Sequence, residues 1–73
     1  MEMGRRADPE RIYVARRMGL VTRLVRVGRI GEDSAERWVA QWETEATFRG
    51  LDKRTTAFWE PAWDWIEKRR EGR

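Results

Sequence analysis

Apolar residues recur along this chain at helical spacing in three segments, and glycine-marked breaks separate them. The first segment runs from about Pro9 to Gly28. Set at 100° intervals, Tyr13, Val14, Met18, Leu20, Val21, Leu24, Val25 and Val27 fall on one broad side. Arg11, Arg16, Arg23, Arg26 and Arg29 fall on the other side. The pattern predicts an amphipathic helix over 9–28, with Asp8 as its N-cap and Pro9 at its first position. Two residues cut across it: Arg17 sits within the apolar arc, and Ile12 sits among the arginines. Gly19 costs a helix about 1 kcal/mol relative to alanine, which suggests a close packing contact at that point.

Gly28-Arg29-Ile30-Gly31 ends the first helix, and Asp33 or Ser34 is the expected cap of the next, over 34–49. Ala35, Trp38, Val39, Trp42 and Ala46 mark the face this second helix buries. Phe48 lies off that face and is expected to pack on the following turn. Gly50 reads as the residue just past the helix end, with Leu51 supplying the accompanying apolar contact. In the third segment Pro61 opposes a helix running straight on from Thr55, because proline is tolerated only in a first turn. The reading is a turn or short 3₁₀ piece over 56–59 and a helix over 60–71. Phe58, Trp59, Ala62, Trp65 and Ile66 would share one side of it, with Trp63 at the edge. Together these elements predict an all-α fold: a small three-helix bundle, built as a helical hairpin with a third helix packed on it. Residues 1–8 would form a flexible tail and residues 9–71 a single helical domain.

Size changes what must hold such a bundle together. At 73 residues the chain buries only about 60% of the surface exposed on unfolding. It has no cysteine for disulfides and no histidine, the commonest general base and transition-metal ligand. Packing and oligomerisation remain, and five tryptophans supply an unusual amount of apolar surface. Met1 to Arg11 has no signal-peptide core, and no apolar run reaches the roughly 20 residues of a membrane span. A cytoplasmic protein is expected. Fourteen of the sixteen basic residues are arginine, which fits GC-rich codon usage and a bacterial or phage source.

Charge is unevenly placed. Residues 1–31 carry a net +5 and residues 32–73 a net −2. The arginine face of the first helix therefore lacks the glutamates that usually balance a solvated face. It offers phosphate-matched donors to nucleic acid or to an acidic partner. A membrane-surface role is disfavoured, because the bundle claims the apolar side of that helix. Ala46, Gly50 and Trp59 only loosely match a helix-turn-helix, and Pro61 would fall inside its recognition helix, which would present Glu60, Asp64 and Glu67 to phosphates. Those three carboxylates read as a solvated stripe. They could also meet the arginine face of a second copy.

Ser34, Thr22, Thr44 and Thr47 have no adjacent base, and the chain has no glycine-rich phosphate loop. No catalytic, metal or cofactor site is expected, and no small-molecule substrate. Trp59, Trp63 and Trp65, three indoles within seven residues, exceed what so small a core can hide. They are the expected protein-interface anchors. The leading expectation is a non-enzymatic protein-interaction module, a regulator or accessory subunit that could be homodimeric. The alternative is a nucleic-acid-binding accessory protein working through Arg11, Arg16, Arg23, Arg26 and Arg29. The state of those arginines separates the two readings: internal pairing with carboxylates would argue against nucleic acid, and an unpaired exposed patch would argue for it.

Overall fold

A computed structural model describes residues 9–72. The protein is an all-α three-helix bundle. Helix α1 spans Pro9–Arg26, α2 spans Glu32–Phe48, a single-turn α3 spans Thr56–Trp59, and α4 spans Ala62–Gly72. The expected tail and the Asp8 cap lie outside the described residues.

Helices α1 and α2 form the hairpin, and α4 packs on α2 with α3 leading into it. The core consists of Val21 and Leu24 from α1, Ala35, Val39, Trp42 and Ala46 from α2, and Phe58, Ala62 and Ile66 from α3 and α4. The α2 positions repeat at i, i+4, i+7 and i+11, which keeps one stripe facing inward over three turns. Trp42 is completely buried at the centre. Its indole Nε1 donates to the Phe58 carbonyl at 3.0 Å, and its ring meets Phe58 edge-on at 6.1 Å and Trp65 at 5.4 Å. Pro61 interrupts the third segment as its missing N–H requires. Glu60 closes α3 through its N–H on Thr56, and the Pro61 carbonyl accepts the first bond of α4 from Trp65.

Several boundaries differ from expectation. Helix α1 ends at Arg26, before Gly28, and the left-handed residue in the turn is Arg29, at φ 57°. The helix end is closed locally, by N–H bonds from Val27 and Gly28 to the Arg23 carbonyl and from Ile30 to the Leu24 carbonyl. Gly28 passes so close to α1 that a β-carbon there would stand 2.6 Å from the Leu24 carbonyl oxygen. Helix α2 begins at Glu32, two residues early, and is capped by the extended backbone of Gly31 without a side-chain bond. Asp33 and Ser34 are thus inside the first turn, where Glu32 and Asp33 favour the helix dipole by charge. Helix α4 starts at Ala62 instead of residue 60, and the 56–59 piece is α-helical. Phe48 does not pack on the turn but is 87% exposed. The end of α2 is otherwise as anticipated: Gly50 has φ 84°, Leu51 N–H bonds Ala46 O, and Gly50 N–H bonds Thr47 O, a Schellman pair.

Gly19 also departs from expectation. A β-carbon there would meet nothing within 4 Å, so no packing contact explains the glycine. Gly19→Ala is expected to raise stability by about 0.5–1 kcal/mol. A urea melt that shows no gain, or a loss, would contradict the open surroundings.

Candidate functional site: the outward face of α1

The first half of α1 is tied to the body by polar groups. None of residues 9–20 is fully buried. The Tyr13 hydroxyl donates to Glu43 Oε2, and Arg17 bonds Glu36 at 2.7 Å and Glu43 at 3.3 Å. Trp59 packs on the Tyr13 ring at 5.9 Å, with Lys53 over it at 4.3 Å. Burial, then the bond to Glu43 and its charge, push the Tyr13 phenol above its ordinary pKa. Burial alone would lower the Arg17 pKa, but the carboxylates of Glu36 and Glu43 outweigh it and raise it. This cluster explains the arginine that broke the apolar arc: Arg17 faces α2. The sequence carried a signal for it, since Glu36 and Glu43 stand seven residues apart on one side of α2.

With Arg17 so engaged, the other arginines of α1 remain outside. Arg11, Arg16, Arg23 and Arg26 are exposed, as is Arg29 in the turn beyond. Among the described residues, none of these five forms an ion pair. Arg23 lies over the Trp63 ring at 4.0 Å. That contact steadies the guanidinium while leaving its N–H edge free to donate. The other described arginines are mostly committed: Arg49 to Glu45, Arg54 to Asp52, and Arg70 to Glu67 and the Gly28 carbonyl.

The three tryptophans named as interface anchors are placed differently from the arginines. Trp59, Trp63 and Trp65 are half-buried against the core. Trp59 donates its Nε1 to the Lys53 carbonyl at 2.8 Å and leans on Phe58 at 4.6 Å. Trp63 sits under Arg23, and Trp65 sits between Trp42 and Arg69, whose guanidinium is 4.2 Å from the ring centre. They do not converge on one open patch. The large apolar side chains that do face outward are Val14, Met18, Val27 and Phe48. The first three belong to α1 and its turn, beside the arginines.

Between α2 and α4 runs a shallow groove lined by Trp38, Gln41, Trp65, Lys68 and Arg69. Among the described residues no group of acidic side chains is placed to hold a metal ion, and no helix is long and apolar enough to cross a membrane. No protein-family model matches this chain, and no significant similarity is found to a curated protein or to a solved structure.

Proposed function

We propose that this protein is a non-enzymatic nucleic-acid-binding protein and that the outward face of α1 is its binding surface. The observation that carries the reading is the row of exposed, unpaired guanidinium groups at Arg11, Arg16, Arg23, Arg26 and Arg29. Arginines kept free of carboxylates hold their full field and all their donors for phosphates. The tryptophans, by contrast, are largely engaged with their own chain.

Binding of this kind releases condensed counterions, so affinity falls with salt by a slope of about −0.9 per phosphate neutralised. Four or five contacts give about a hundredfold or greater loss between 50 and 200 mM salt, on the same relation. Anisotropy titrations of a fluorescent random duplex should show that loss. Arg16→Ala and Arg26→Ala should each flatten the slope by about 1. Arg54→Ala removes a guanidinium already paired with Asp52 and should leave the slope unchanged. A salt-insensitive affinity, or equal effects of Arg54 and Arg26, would overturn the reading.

A protein partner is the second reading, and one observation favours it. Val14 and Met18 stand 46% and 61% exposed next to the arginines, a mixture that suits an acidic amphipathic helix. Indifference to DNA, together with binding of an acidic amphipathic peptide that weakens on Met18→Ser, would select it.

A further inference from the structure

Building on that nucleic-acid reading, we infer that α1 is a major-groove helix for B-form duplex DNA, with little preference among sequences. Three features of its outward face support this.

The first is the placement of charge around the axis. At 100° per residue, Arg11 and Arg26 lie on one flank of the outward arc and Arg16 and Arg23 on the other. The flanks average about 100° apart. A helix resting in a groove meets a phosphate strand on each side, and two diverging flanks of guanidinium match two strands. A single-stranded backbone would engage one flank and leave the other unpaired.

The second is what lies between the flanks. Ala15, Gly19 and Thr22, all exposed, fall within the arc the arginines bound, and Ile12, half-buried, is the one larger uncharged side chain there. The middle of the helix therefore has a low ridge, and its backbone can approach a groove floor closely. No contact inside the protein accounts for Gly19, since nothing lies within 4 Å of its β position. Of the ridge residues only Thr22 carries a hydrogen-bonding side chain, so base edges are touched but hardly discriminated.

The third is access. Arg11, Ala15, Arg16 and Gly19 are all exposed, so over its first three turns the arc between the flanks is open to a groove, while Tyr13 and Arg17 hold the opposite side to α2. A helix about 10–12 Å across fits a major groove about 12 Å wide. The minor groove of B-DNA, about 6 Å wide, excludes it. So does the deep, narrow major groove of A-form RNA.

The experiment compares one sequence as duplex DNA, duplex RNA and single-stranded DNA at equal salt, with the intact protein and with Gly19→Trp. The substitution leaves the charge unchanged and enters open space, and circular dichroism checks that helix content is kept. Ala15→Met serves as a second variant should Gly19→Trp perturb the helix. Duplex DNA should bind about tenfold or more tightly than the other two, because they forfeit one flank of phosphate contacts. Gly19→Trp should weaken duplex DNA by about tenfold and spare single strands, since it blocks depth of entry and not charge. Equal affinity for all three probes, tighter RNA binding, or a duplex affinity untouched by both ridge variants would overturn the groove inference while leaving the electrostatic reading standing. Failure of every probe to bind would overturn both and turn attention to an acidic protein.

Discussion

Trp42→Ala should remove about 3–5 kcal/mol, a large share of this protein's whole stability. The side chain is wholly buried and touches Phe58 of α3 and Trp65 of α4. Truncating a buried tryptophan costs about 3–5 kcal/mol through lost transfer energy and the cavity left behind. A chain of this size has only about 4–11 kcal/mol in total, at roughly 0.05–0.15 kcal/mol per residue. Trp42→Phe separates the two contributions. It keeps much of the ring but removes the donor to the Phe58 carbonyl, and should cost about 1–3 kcal/mol for the unsatisfied acceptor and the residual gap. Urea unfolding followed by circular dichroism measures both. A Trp42→Ala protein that melts within about 1 kcal/mol of the parent would show that the core is not centred on this residue.

Gly28→Ala is the second large effect, and its direction is opposite to that at Gly19. Added to open space, a methyl group stabilises by restricting the unfolded chain. At Gly28 the same methyl would lie 2.6 Å from the Leu24 carbonyl oxygen and 3.1 Å from Arg70 Nη1. The arginine tip can move, but a helix carbonyl cannot move without disturbing α1. A loss of about 1–3 kcal/mol is expected, in the range of overpacked sites. Arg70 also donates to the Gly28 carbonyl at 3.0 Å while bonding Glu67 at 2.8 Å, so one side chain ties α4 to the end of α1. Arg70→Ala and Gly28→Ala should therefore be less than additive, since both open one junction. Full additivity, or a gain in stability at Gly28→Ala, would contradict the close approach.

Much of the architecture was legible from residue spacing. The inward stripe of α2 follows from Ala35, Val39, Trp42 and Ala46 at helical intervals, and Pro61 placed the break ahead of the last helix because its missing N–H is a local property. The candidate surface was partly legible in the same way. Arg11, Arg16, Arg23 and Arg26 share a side of α1 by periodicity alone. Whether they were free was not readable, because pairing with a carboxylate depends on which residues the fold brings near. Arg17 and Arg26 look alike in sequence; one is fastened to Glu36 and Glu43, and the other has no carboxylate partner among the described residues. The surroundings of the tryptophans were likewise not readable. Counting indoles against chain length pointed to a surplus at the surface. The fold lays Arg23 of α1 over Trp63 and Arg69, one turn on in α4, over Trp65, leaving both indoles half-buried.

By itself, then, the sequence determined the helical class, the number of long helices, the inward stripe of α2 and the side on which the arginines lie. Each of these follows from a period of 3.6 residues and from the backbone limits of proline and glycine, which act within one or two turns. It did not determine how little of the apolar side of α1 and its turn is buried, since Val14, Met18 and Val27 are exposed. Tertiary structure alone decided how the end of α1 is fastened to α4, which cations are neutralised and how the central tryptophan is satisfied. Those outcomes rest on contacts between residues far apart in the chain: Arg70 with Gly28, Arg17 with Glu43, Trp42 with Phe58. Their energies depend on separation in space, and residue spacing along one helix carries no record of it.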